Sequence, residues 1–341
     1  MNHKRLFTIF LLLLTLSSCA GKTTEPPPTE TPTPEATLVP SPTPTPMPLG
    51  SPENPVVIGV VSENENATVS SRSQELAAYL STETGSSFQS RVFTTYREML
   101  DEMQASRVHA AWLFPLTYLW AHQSGFAQVG LLANHYGVYN YGSQFLVNVS
   151  SNFTLYYDPI ADRNTADAAT ALAQFAGKRP CFVEPTSPSG YILPLSLLQE
   201  NSVDVLEPVW TRSQNAVVRA LYIRDICDFG VTFAISGDPR TAESIQQDLP
   251  DTMNRILVAW KTDPIIPSMN FSLLPELPRD LVYDILDTLV SLSSTPDGKA
   301  LLTDATGYDI QGLKRIEDAD YDALRHTLEI TQLELEPLIG R

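Results

Sequence analysis

The sequence predicts an α/β protein of two lobes with a helical return, and three observations lead to it. The stretch from Val56 to Arg341 is long enough for two lobes of ordinary domain size with a substantial core. Along it, short apolar runs that read as buried strands alternate with segments of helical periodicity. From Arg279 onward the pattern is almost wholly helical. Alternation of this kind argues for mainly parallel sheets flanked by helices on both faces. No internal repeat of fixed period is visible.

Taken in order, Val56–Val61 (VVIGVV) predicts a buried strand, and Ser70–Thr84 a helix with Leu76, Ala77 and Leu80 on one face. Phe88–Phe93 reads as a strand, and Thr95-Tyr96-Arg97-Glu98 as a capping box that opens a helix through Gln104. Val108–Phe114 predicts a strand, followed by Pro115 and a helix running to Gly125. Strands follow near Phe126–Ala133 and Gln144–Val149, then a helix over Thr165–Phe175 and a strand over Cys181–Glu184. Helices over Ser189–Asn201, Ser213–Tyr222 and Thr241–Leu249 are expected to alternate with strands over Val203–Leu206, Phe229–Ile235 and Ile256–Trp260, the last clear strand. The tail reads as helices with a stop at Pro296-Asp297-Gly298 and a final helix over Asp320–Leu335. These elements place the first lobe at 56–145, the second at 146–262 and the return to the first at 263–341.

The first residues form a different unit. Lys4 and Arg5 precede an apolar run from Leu6 to Leu16 and then small residues ending at Cys19. The run is too short to cross about 30 Å of hydrocarbon, and its order is that of an export signal spanning 1–18. Leu16-Ser17-Ser18-Cys19 resembles the bacterial lipobox, which makes Cys19 the lipidated residue and tethers the chain to a membrane on its extracytoplasmic face. From Cys19 to Pro55 the chain is rich in Thr-Pro and Pro-Thr. Proline lacks an amide donor and fixes φ, so an extended, solvated linker is expected, spanning about 3.1 Å per residue.

The chain carries 22 basic and 39 acidic residues, a net charge of −17, which argues against nucleic acid or a polyanionic surface as a partner. A small anion is not excluded, because local amides decide its binding while salt screens distant charge. Cys181 and Cys227 both lie on apolar runs, and either a disulfide or two buried thiols fits them. His109, His122, His135 and His326 form no metal-binding spacing. There is no phosphate-binding GxxxxGK[ST] loop, and Ser-Pro-Ser-Gly lacks the glycine that a nucleophile elbow needs. No catalysis, metal or cofactor is therefore expected.

The best candidate site is VEPTSPSGYILP. A strand ends at Glu184, Ser187 stands where an N-cap belongs, Pro188 takes the first helical position, and Ser189 and Gly190 follow. In open α/β sheets ligands bind beyond the carboxyl ends of strands, where helix starts present unpaired amides and a dipole that favours negative charge.

This stretch resembles the serine-rich S-x-S-G-Y/L-x-x-P helix start of the phosphonate, phosphite and phosphate binding proteins of ABC transporters. HAAWLFPLTYLWA, YGSQFLV, AWKTDPIIP and DGKALLTDATGYDIQGLKRIEDADYDALR are similar to further segments of that family in its order, over about Val56 to Arg325. The resemblance implies a type II periplasmic-binding-protein-like fold and a monomer that captures a small phosphorus oxyanion for an ABC permease of the cytoplasmic membrane. It implies that Ser187, Ser189 and the Gly190 amide hold the anion from the second lobe, and that Tyr141, Tyr96 and Thr117 close on it from the first. Two departures stand out: Pro188 replaces a hydroxyl, and RSQNAVVRAL lacks the family's histidine. Relatives that take aminoalkyl phosphonates hold the ammonium with carboxylates, for which Asp228, Glu184 and Asp263 are candidates. The alternatives are a sensory ligand-binding lipoprotein, a binder of another small anion or organic solute, and a tethered interaction protein with an inactive cleft.

Overall fold

The computed structural model describes residues 47–62, 64 and 66–339. The leader, Cys19 and nearly all of the proline-rich stretch lie outside the described residues. Val56, Ile58 and Val60 are buried along β1 (Val56–Val61), and α1 (Ala67–Thr84) covers them with Leu76, Ala77 and Leu80, the face its periodicity predicts. β2 (Phe88–Phe93) leads into α2 (Tyr96–Gln104), whose N-cap Thr95 accepts from the Glu98 amide while the Glu98 carboxylate takes the Thr94 hydroxyl instead of closing the box. β3 (Ala110–Leu113), α3 (Pro115–Gln123) and β4 (Gln128–Asn134) follow.

The chain then crosses to a second sheet with β5 (Asn140–Asn148), so 140–145, expected in the first lobe, stand in the second. A small hairpin, β6 (Tyr157–Asp158) with β7 (Arg163–Asn164), precedes α4 (Ala168–Leu172) and β8 (Pro180–Phe182). A π-helical turn over Pro188–Ile192 runs directly into α5 (Leu193–Glu200). β9 (Val209–Trp210), α6 (Gln214–Ile223), β10 (Phe229–Ala234), α7 (Glu243–Asp248), α8 (Thr252–Arg255) and β11 (Ile256–Lys261) complete this half. β12 (Ile266–Pro267) runs beside the start of β5 on the way back. β13 (Asn270–Leu273), α9 (Arg279–Leu292), α10 (Pro296–Thr306), β14 (Gly312–Arg315) and α11 (Asp322–Thr331) rejoin the first half.

The first sheet has the order β14-β4-β13-β3-β1-β2 and the second β11-β5-β10-β8-β9, with β12 on β5. The two-lobed α/β class holds, but the pairing within it is mixed. β1, β2 and β3 are parallel, as are β8, β9 and β10, whereas every pair made by β5, β13 and β14 is antiparallel. β5 and β13 are the strands by which the chain enters one sheet and re-enters the other, so they run against their neighbours.

Three other expectations are corrected. Val203–Leu206 is not a strand: it makes single bonds with 177–178, and strand pairing starts only beyond Pro208, which has no amide to give. Pro296-Asp297-Gly298 starts a helix rather than stopping one. Thr295 caps the Gly298 amide, and a Cβ at Gly298 would lie 1.9 Å from the Leu292 carbonyl oxygen. Ile256–Lys261 is not the last strand, since β13 is central to the first sheet and β14 edges it. β13 escapes a hydropathy reading because buried Asn270 and Ser272 interrupt it, Asn270 donating to the Tyr321 hydroxyl at 2.9 Å and accepting from Ser272 at 2.6 Å.

Candidate functional site

Between the two sheets lies a cleft of about 240 Å³, bounded by the strand crossings. Its second-lobe wall is built by the loop after β8. Ser187 sits in extended conformation as N-cap and its Oγ accepts from the Gly190 amide at 3.1 Å. Pro188 fills the first helical position, where a missing amide costs nothing. Gly190 is required by packing, since a Cβ there would fall 2.4 Å from Val183 Cγ2. Ser189 is 3 % exposed; its carbonyl takes the Ser143 hydroxyl of β5 at 2.7 Å, which ties the serine loop to the crossing strand. Neither the Ser189 amide nor its hydroxyl has a partner among the described residues, and the residue lines the cleft.

Two more helix starts meet the same space. α3 begins at Pro115 behind Phe114, with no side-chain cap, and the Leu116 and Thr117 amides make no hydrogen bond among the described residues. α6 begins at Gln214, whose Oε1 accepts from the Phe233 amide at 3.1 Å. Ser236 and Ser268, both buried, add hydroxyls from the end of β10 and from the return crossing. Burial pushes the Tyr141 phenol well above its ordinary value and the Tyr308 phenol up to about 12, so both remain proton donors near neutral pH. Among the described residues, no Asp, Glu, Lys or Arg lines the cleft. Its polarity toward an anion comes from hydroxyls, amides and three helix starts.

Of the residues the sequence proposes, Ser187, Ser189 and Tyr141 come together here. The Gly190 amide lies behind them, already given to Ser187. Tyr96 packs edge-on against Phe114 at 5.8 Å, and neither it nor Thr117, buried in the first turn of α3, is part of the cleft lining. Asp228 is elsewhere, its carboxylate accepting from the Arg179 amide at 2.7 Å beside Cys227, in a separate depression of about 460 Å³. Glu184 and Asp263 are exposed and outside the lining. Cys181 and Cys227 are joined as a disulfide across a separation of 46 residues.

Sequence reasoning missed the first-lobe wall. His135 stacks on Tyr308 at 4.0 Å, and its Nδ1 lies 2.8 Å from the Asp309 carbonyl oxygen and donates to it. Tyr136 follows at the rim, and Phe233 faces in from β10. Ser236 sits just past a strand's carboxyl end, where a topological rule points. Tyr308 carries no local signal, because the segment after α10 meets the end of β4 only in the folded chain.

Residues 58–321 match the family model described as the periplasmic substrate-binding protein of phosphonate ABC transporters. The chain is 26% identical over 308 residues to the phosphate-import protein PhnD of Mycolicibacterium smegmatis, covering 83% of this chain and 87% of that one. Among solved structures it is similar to XAC2383 from Xanthomonas citri bound to chloride, with a TM-score of 0.59 at 16% identity over 83% of this chain and 98% of that one. It is also similar to PhnD1 from Prochlorococcus marinus in complex with methylphosphonate, with a TM-score of 0.52 at 14% identity over 81% and 98% of the two chains. The backbone is that of type II periplasmic binding proteins, and with its match over residues 58–321 the chain belongs to the family of extracytoplasmic substrate-binding proteins that serve phosphonate ABC transporters.

Proposed function

We propose that this chain is a lipid-anchored binding protein of an ABC importer and that its cleft captures a phosphorus oxyanion through neutral donors. The observation that carries this reading is Ser189, whose amide and hydroxyl are both unpartnered among the described residues in a residue that lines the cleft. Closing the lobes over such open groups is costly unless a ligand completes them, and an oxyanion accepts several charge-assisted bonds at once. Helix starts from both lobes converge on the same space, so closing the lobes adds donors from both sides and couples capture to a shape a permease can read. The curated relative imports phosphate and one structural relative holds methylphosphonate, which supports this class of ligand.

The lobes provide the site, and Cys19 with the proline-rich stretch provides the tether. Among the described residues no helix is long and apolar enough to cross a membrane, and Leu16-Ser17-Ser18-Cys19, which resembles a lipobox, supports lipid on Cys19 as the proposed anchor. The chain lacking only residues 1–19, titrated with phosphate, phosphite and methylphosphonate, is expected to unfold at higher temperature with at least one of them. Ligand at about 100 times its Kd adds about 2.7 kcal/mol. No shift with any of the three at millimolar concentration removes the oxyanion reading. In cells, Cys19→Ala is expected to release the protein from the membrane fraction, and retention there removes the lipid anchor.

A further inference from the structure

We propose that the natural ligand is an organic phosphorus oxyanion whose substituent is uncharged and apolar or aromatic, and that Tyr136 selects that substituent. The inference rests on the oxyanion reading and deepens it. The cleft joins two kinds of surface. Ser189, Gln214 and Ser236 offer donors from the second lobe and Ser268 another from the return crossing, while Phe114, His135, Tyr136 and Tyr308 gather as an aromatic wall on the first, with Phe233 on the second-lobe side. A bare tetrahedral oxyanion bonded to the donors leaves part of the cleft, about 240 Å³ in all, unfilled beside that wall.

Among the described residues a charged substituent finds nothing there to pair with. The three carboxylates nominated from the sequence, Glu184, Asp228 and Asp263, all stand outside the cleft, so an ammonium group would be desolvated with no carboxylate beside it among the described residues. Nor do the rings box a quaternary cation. His135 and Tyr308 lie flat on each other, 14° apart, and Phe114 meets Tyr308 edge-on at 5.6 Å, so these rings are engaged with one another.

Tyr136 leans on His135 at 4.3 Å between ring centroids and is the most exposed of them. It is 61% exposed at the cleft rim, in a turn closed by the His135–Val138 bridge. Its φ is +47° and that of Gly137 is +90°, a pair of left-handed residues for which Asn-Gly is the favoured sequence. A bulky aromatic in that conformation is strained, and the Asp309 carboxylate holds it by accepting from the Tyr136 amide at 3.2 Å. The contact with His135 uses only part of the ring, and the exposed remainder borders the cleft, where a substituent can meet it.

The test is calorimetric titration of the chain lacking residues 1–19 with phosphate, methylphosphonate, phenylphosphonate, phenyl phosphate, 2-aminoethylphosphonate and phosphocholine. Phenylphosphonate or phenyl phosphate is expected to bind at least tenfold tighter than methylphosphonate, and 2-aminoethylphosphonate more weakly than methylphosphonate; which phenyl compound is tighter separates a phosphonate from a phosphate ester. Tyr136→Asn, which suits the turn, is expected to abolish the phenyl preference, and Tyr136→Phe to keep it. Tightest binding of 2-aminoethylphosphonate or phosphocholine overturns the proposal, as does an undiminished phenyl preference in Tyr136→Asn. Binding of phosphate without any phenyl preference overturns this inference alone, whereas silence toward all six compounds overturns the oxyanion reading beneath it.

Discussion

The two lobes are held together differently. In the first, a continuous core gathers β1–β4 and their helices with β13 and the returning α9, α10 and α11, so distant parts of the chain bury one another. In the second, side chains alternate through the sheet into two thinner clusters. Phe145, Val147, Phe182, Phe229 and Val231 face one side with Phe175, and Leu146, Cys181, Val183, Val217 and Leu221 the other. The Cys181–Cys227 bond ties β8 to the segment before β10 on the second of these sides. Thin cores leave little margin after chain entropy, and a covalent staple restores it. The lobe carrying the serine loop is therefore the one expected to lose stability in reducing surroundings, more than the lobe carrying the aromatic wall.

The widest test of this contrast is to remove the staple. Replacing both cysteines by alanine is expected to destabilise the second lobe by about 4 kcal/mol on the loop-closure estimate, seen as an early unfolding step in calorimetry that reductant reproduces in the parent. One unchanged transition would show that the second lobe's packing suffices by itself.

A smaller effect separates binding from folding. The Ser189 hydroxyl makes no bond within the described chain, so Ser189→Ala should leave the ligand-free melting temperature nearly unmoved. It should weaken oxyanion binding by about tenfold to a hundredfold, the worth of a hydrogen bond to a charged group. Equal binding by the variant would make the serine loop purely structural.

The smallest effect belongs to the first lobe. The Nδ1 of His109 accepts from the Val57 amide at 2.9 Å, and burial lowers its proton affinity below the ordinary 6.5, with Glu276 opposing. The unfolded chain then binds that proton more readily than the folded one. This contribution is complete above the unfolded value and fades as pH falls through the folded one. In denaturant titrations at pH about 7.5 and about 5.5, His109→Gln is expected to lose less stability on acidification than the parent; an equal loss would refute it.

How much of this was legible beforehand follows from the range of each signal. Ser187-Pro188-Ser189-Gly190 was readable because a cap, a first-position proline and a close-packed glycine act within one turn. The strands β1, β8 and β10 were readable from their apolar runs. β13 was not, since Asn270 and Ser272 are polar in sequence and become tolerable only when Tyr321 completes their bonds. Tyr96 and Asp228 had the right residue type in plausible surroundings, but their side chains are directed by packing against Phe114 and by the Arg179 amide.

By itself the sequence determined the alternation of elements, the helix start that presents Ser189 and the likeness to a family of binding proteins, because these depend on neighbours a few residues apart. Only the tertiary structure decided that His135 and Tyr136 form one wall with Tyr308, that Glu184, Asp228 and Asp263 stand outside the cleft, and that Cys181 meets Cys227. Each of these is set by strand register between segments far apart in the chain, and no local pattern encodes which distant strand will pair.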